Sequence, residues 1–353
     1  MSARAGWRRY ANPKLLGLIA QVTISALLLK MVLTDVKLDV ALSTVRQLPM
    51  EFLLLAFGVL LGMQLGIVLR WWTVLRAVGG TAGYVDTLKI TLVGFLFNNV
   101  VPGLMGQDAA RVYYAGRGAS YVDAGASVLF DKILGLLVMA SFAGVVAGVF
   151  ALGAEGLLGL PQSDPAALAL LNQASLICLL ASGALVLGLV FLMVPVERML
   201  RPERMARPWM ARSLAALIGL VVGLRSCVRP RVLGMGYLVG IVCYGALALV
   251  YARYMCLTGE AGSVAPGFWA VFSALALTLT LTNLPISFNG IGIREHAHVV
   301  FFAALGMGKE AAVGIALVQY ASLVGLSLLG LVVWLSMKGH GKSPSCGTAN
   351  ERE

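Results

Sequence analysis

A chain of 353 residues that is 59% hydrophobic and 12% charged, with a mean hydropathy of +0.88, is too apolar for one water-soluble core and reads as a multi-span membrane protein. Its net charge of +11 does not point to nucleic acid, because the lysines and arginines gather in short segments between apolar runs. Cys178, Cys227, Cys243, Cys256 and Cys346 show no pairing or CxxC pattern and read as structural thiols.

Apolar runs near 15–33, 52–69, 133–153, 174–195, 232–257 and 311–337 each approach or exceed the ~20 residues that cross the hydrocarbon as a helix. The first, behind Arg4, Arg8, Arg9 and Lys14, is read as an uncleaved span, since "TDVKLDV" offers no small-residue cleavage site. Basic residues are retained in cytoplasmic loops. This rule places residues 1–14, 70–89, 111–123, 198–231 and the tail inside, and the poorly basic 35–50, 154–168 and 258–265 outside. Trp71, Trp72 and Trp209 read as interface anchors.

Parity then becomes informative. The 70–89 and 111–123 segments both read as inside, with "FNNVVPGLMGQDAAR" between them. Residues 86–120 are therefore read as a re-entrant hairpin from the cytoplasm that breaks at Pro102 and Gly103. Non-helical backbone at depth is tolerated only where protein or water satisfies it, so a polar cavity is implied. Residues 266–309 repeat the situation from the outside, with the break in "LTNLPISFNGIGIREHA".

The fold expected is all-α and integral to the membrane, one polytopic domain over 1–353 with six full spans and two re-entrant hairpins. Residues 52–153 and 232–337 form the halves of a candidate inverted-topology repeat, and 338–353 form a cytoplasmic tail. Residues 196–231, rich in arginine with a short apolar run at 214–224, read as an interfacial linker against anionic headgroups. Matched broken segments in inverted halves point to a transport site near the midplane.

"NNVVPGLMGQDAAR", "ASVLFDKILGLL" and "LPISFNGIGIREHA" resemble the signatures of the lysylphosphatidylglycerol synthase transmembrane-region family, the flippase-like proteins, over nearly the whole chain. The resemblance implies a polytopic bacterial inner-membrane protein that moves lipids between leaflets. The matching positions are Pro102, Gly106, Asp108 and Arg111, then Asp131 with Lys132, then Pro285, Gly290, Gly292, Arg294 and Glu295. Gln107 stands where the family usually has a second glycine, and Lys132 where arginine is commoner. The soluble aminoacyl-transfer domain of the synthases is not expected after the last span, so no enzymatic activity is expected.

Asn99, Gly103, Asn283 and Asn289 join these residues as the expected lipid-binding set. A half-helix starting at depth offers free N–H groups and the positive end of its dipole to an anion, and arginine adds a planar fork suited to phosphate. Asp108 and Arg111, three apart, share a helix face, so the aspartate is expected to hold the arginine until a phosphate displaces it. The plainer reading makes Asp108 an N-cap, these pairs structural locks, and Asp131 and Lys132 a snorkelling pair near a span end. No metal or cofactor is expected: His296 and His298 do not share a helix face, and the "GKS" at 341–343 lacks the first glycine of a phosphate loop. The partners expected are membrane lipids, not nucleic acid, with a second copy or a lipid-biosynthesis enzyme as further candidates. A membrane-embedded enzyme acting on a lipid-linked substrate and a scaffold for lipid or glycan assembly are the rival readings.

Overall fold

The computed structural model describes residues 22–31, 34, 36–100, 106–152, 165–195, 208–259, 267–283 and 290–339. Pro102, Gly103, Pro285 and Asn289 lie outside the described residues, as does the side chain of Asn99. The described chain is helical throughout. In order the helices are α1 (Val22–Met31), α2 (Leu38–Arg46), α3 (Met50–Ala77), α4 (Tyr84–Val100), α5 (Gly106–Ala115), α6 (Tyr121–Ala151), α7 (Pro165–Phe191), α8 (Pro208–Cys227), α9 (Pro230–Leu257), α10 (Phe268–Thr282), α11 (Ile293–Ala303) and α12 (Lys309–Gly339).

Among the described residues, α3, α6, α7, α9 and α12 are long and apolar enough to cross a membrane. The sixth expected span, 15–33, is described only over α1. α4 and α10, with 17 and 15 residues, rise only about 25 and 22 Å, short of a full crossing.

Local sequence explains where the long helices begin. The Ser120 hydroxyl accepts the Asp123 N–H at 3.0 Å and so caps α6. Proline stands at the first position of α9, where its missing N–H costs no helical bond. α10 is buried at every position from Ala270 to Leu279, the pattern of a helix enclosed by others. Its neighbours are α6, α7, α9 and α11.

Lipid gives helices no hydrophobic reason to associate, so close backbone approach at small residues carries much of the packing. Gly66 of α3 faces Val239 and Cys243 of α9, while Gly236 and Gly240 of α9 receive Leu134 and Val138 of α6. Gly330 of α12 lies directly on the main chain of Leu92 in α4.

Both short pairs fold back on themselves. α4 packs on α5, and α10 on α11. The Thr81 hydroxyl, just before α4, donates to the Gly118 carbonyl, just after α5, at 3.1 Å. The chain thus enters and leaves the first pair at one end of the bundle. The Tyr254 hydroxyl near the end of α9 donates to the Ala311 carbonyl at the start of α12 at 2.9 Å, which closes the second pair. The first pair therefore opens beside the C-terminal end of α3, and the second beside the C-terminal end of α9. The helix contacts also show a partial pattern: exchanging α3, α4, α5 and α6 for α9, α10, α11 and α12 maps α3·α4, α4·α5, α5·α6, α4·α12 and α3·α12 onto α9·α10, α10·α11, α11·α12, α10·α6 and α9·α6, with α3·α9 mapping onto itself, whereas the α3·α6 packing has no comparable α9·α12 counterpart.

The apolar run 214–224 lies within a longer helix, α8, whose Gly219 and Gly223 pack on Val122 and Ala126 at the start of α6. Two sequence readings are corrected here. Trp71 is no interface anchor, because it is fully buried. Trp72 sits nearer the bundle end, where its indole donates to the Ala82 carbonyl at 3.2 Å. Asp131 is not near a span end: α6 starts at Tyr121, about 15 Å away along the axis.

Candidate functional site

α3, α5 and α6 meet around one carboxylate. Asp131 of α6 accepts Arg70 Nε at 2.7 Å on Oδ1 and faces Arg111 Nη1 at 3.4 Å on Oδ2. All three side chains are buried. The Arg111 guanidinium lies over the Trp71 ring, 4.6 Å from its centroid, which is favourable in a dry setting. Trp71 is held in turn by its indole N–H, which donates to Ser127 Oγ at 3.3 Å. Tyr244 of α9 lies beside the Arg70 guanidinium. Gly135 gives Arg70 room, for a Cβ there would stand 3.1 Å from Nη2.

Arg70 was missed by the sequence reading, which counted it with the loop arginines because the apolar run stops at residue 69. The helix continues to Ala77, and the arginine points into the bundle. Its two tryptophan neighbours were the available signal, since a loop seldom begins with two large aromatic rings.

The expected Asp108–Arg111 pair is not formed. Asp108 is ion-paired with Lys132 of α6, and Arg111 turns to Asp131. Residues 131 and 132 are adjacent, so their side chains leave α6 about 100° apart; one is buried in the cluster, and the other is half-exposed beside Asp108. Two ion pairs thus join α5 to α6, an inner one that also involves Arg70 and an outer one that is partly exposed. Gly106 opens α5 directly against the Phe97 carbonyl of α4, an approach that any side chain would block.

Among the described residues the inner cluster holds two cations and one anion. Arg70 Nη1 and Arg111 Nε are buried without a hydrogen-bond partner there. Buried donors left in this state are costly, and an anion with several oxygens is the group that would satisfy them.

The second pair of short helices is built differently. Gly290 and Gly292 take φ of +75° and +82°, where a Cβ is strained, and a Cβ at Gly292 would also meet α1 at Leu28 and Ser25. Glu295 Oε2 accepts the Gly292 N–H at 2.7 Å and so caps its own helix. Arg294 is buried with its guanidinium 5.5 Å from the Tyr320 ring centroid. One turn on, His298 is fully buried. Its Nδ1 lies 2.7 Å from the Arg294 carbonyl and its Nε2 2.7 Å from the Tyr251 hydroxyl of α9. Asn283 ends α10, its amide donating to the Leu279 carbonyl at 2.8 Å. Of the expected site residues, the structure brings Gly106, Asp108, Arg111, Asp131 and Lys132 together in one place, and Gly290, Gly292, Arg294 and Glu295 in another.

A helical bundle with several crossing helices and ionisable side chains locked between them is a polytopic integral membrane protein; such groups at membrane depth are costly and mark function. The chain belongs to the family described as the lysylphosphatidylglycerol synthase TM region, whose model matches residues 18–335. No curated protein matches the sequence.

Proposed function

We propose that this protein moves a lipid with an anionic headgroup between the leaflets of a bacterial cytoplasmic membrane, both chain termini lying in the cytoplasm. The observation that carries the reading is the inner cluster: two buried arginines share one carboxylate, leaving one excess positive charge and donors with no acceptor among the described residues. A phosphate oxygen fits those donors in charge and geometry, and the half-exposed Lys132 is the cation that a headgroup meets first. The opposed openings of the two short-helix pairs, and the helix contacts, most of which survive exchange of α3–α6 for α9–α12, support an inverted repeat with re-entrant hairpins that alternately faces each side. The membrane orientation rests on the distribution of arginine and lysine.

The partner assignments supply a clean test. Arg111→Gln leaves Arg70 and Asp131 as a neutral pair, so the fold should hold while headgroup binding weakens by the ~1.5–3 kcal/mol of a charge-assisted hydrogen bond. Purified protein in liposomes with a fluorescent phosphatidylglycerol, scored by quencher access to each leaflet, should show at least a tenfold loss of exchange at limiting lipid. A stable Arg111→Gln protein that exchanges lipid at the unmodified rate sinks the headgroup site. Release of a chemically altered lipid by the unmodified protein would promote the enzyme reading instead.

A further inference from the structure

We infer that the lipid held by this protein is an acyl ester: one of its chains lies in a cleft between α2, α3 and α12, and Gln64 donates to the ester carbonyl at the head of that chain. This rests on the headgroup site proposed above.

The cleft follows from the shortness of α4. Helices α4 and α12 run antiparallel, with Leu92 against Gly330 and the Phe95 carbonyl accepting Ser327 Oγ at 3.2 Å. In that register the last residue of α4, Val100, stands level with Ser322. Beyond it a cleft of about 400 Å³ opens between α3 and α12, lined by Leu53 and Phe57 of the first and Val318 and Ala321 of the second, with Leu42 and Val45 of α2 at its outer end. Phe57 lies about 10 Å along α3 from Met50, which sets the cleft at hydrocarbon depth. No charged side chain lines it, so its occupant must be apolar.

The same helix leads from the cleft to the arginines. Phe57, Gln64 and Trp71 follow one another at intervals of seven residues, which sets them about 10.5 Å apart and only about 20° off a common line at each step. Phe57 lines the cleft, and Trp71 carries the Arg111 guanidinium over its ring. Gln64 stands between them, half-buried, the one polar side chain of α3 from Phe52 to Leu69. A phospholipid presents its groups in the matching order: an anionic phosphate, an ester carbonyl that can only accept, then a hydrocarbon chain. The glutamine amide supplies the N–H that the carbonyl takes. A chain of one leaflet spans about half of the ~30 Å hydrocarbon thickness, and Leu53 lies eleven residues from Gln64, about 16.5 Å along the axis. Phosphate, ester and chain end therefore fit one molecule laid along α3.

The test compares phosphatidylglycerols that differ only in how their chains are attached. In displacement of a fluorescent phosphatidylglycerol from the purified full-length protein in detergent, the dioleoyl ester should outbind the dioleyl ether by about two- to tenfold, the worth of one neutral hydrogen bond. Gln64→Met keeps the length of the side chain but has no donor, and should bind both alike. Arg111→Gln should weaken both and keep their ratio. Equal affinity for ester and ether in the unmodified protein, or a preference that survives Gln64→Met, would overturn the ester contact; the headgroup site would still stand if Arg111→Gln weakened both lipids. Ala321→Trp fills the cleft and should weaken the dioleoyl lipid while leaving dihexanoyl-phosphatidylglycerol, whose short chains end before Phe57, unchanged. The same bulk at Leu329, exposed on α12 outside the cleft, should change neither. Dioleoyl binding untouched by Ala321→Trp, or short and long chains weakened alike, would mean that no chain lies there. Failure of every phosphatidylglycerol to bind the unmodified protein would overturn the headgroup site as well.

Discussion

The two short-helix pairs place an arginine and an acid at comparable positions and use them in opposite ways. In the first, the acid that neutralises Arg111 comes from a neighbouring helix and is shared with a third, so α3, α5 and α6 are tied at one carboxylate. In the second, Glu295 turns back to cap its own helix, and Arg294 rests near an aromatic ring. In one site the acid is shared between helices, and in the other it is spent on the start of its own helix. The same pair of residue types therefore predicts neither the partner nor the consequence of its loss.

The most damaging way to break the first arrangement is to remove its hub. Asp131→Ala strands two buried guanidinium groups, and breaking a buried pair costs about 3–5 kcal/mol. Thermal unfolding in detergent, followed by thiol-reactive dye, should show a large drop in midpoint. A wild-type midpoint would mean that the arginines are not buried against this carboxylate.

A smaller effect is expected at the glycine that seats α5. Gly106→Ala puts a Cβ onto the Phe97 carbonyl, and overpacking of this kind costs about 1–3 kcal/mol. Gly58→Ala in α3, where the added methyl meets nothing within 4 Å, is the control and should be near neutral. Equal midpoints for the two variants would show that α4 and α5 do not approach so closely.

Least of all should change in the second site. Glu295→Gln keeps an acceptor for the Gly292 N–H, and glutamine serves at this capping position as glutamate does, but it removes the charge that Glu295 presents to the buried Arg294 beside it, so stability should fall by no more than about 1 kcal/mol. A loss as large as that of Asp131→Ala would show that Glu295 is as much a hub in its site as Asp131 is in the first, and the contrast between the sites would vanish.

Much of this was legible in the sequence, and what was not has a physical reason. Hydropathy found the long helices, and charge parity anticipated that residues 70–89 and 111–123 share an end, where the Thr81–Gly118 hydrogen bond lies. The motif "GQDAAR" marked α5 and the residues that face α6. Partners were another matter. The three-residue spacing of Asp108 and Arg111 is a local regularity, but both side chains leave their helix for α6, and no spacing within α5 encodes that. Arg70 was hidden by arithmetic: a charge ends an apolar run whether or not it ends the helix.

Tyr244 and Tyr251 are seven residues apart on α9, two turns of one helix. The first reaches Arg70 and the second His298. That interval acts as a ruler of about 10.5 Å with a fixed angular setting. A residue inserted between them would swing one tyrosine by about 100° out of its site, whatever its chemistry. The stretch between Tyr244 and Tyr251 should thus accept many changes of side chain on its lipid face and almost none of length.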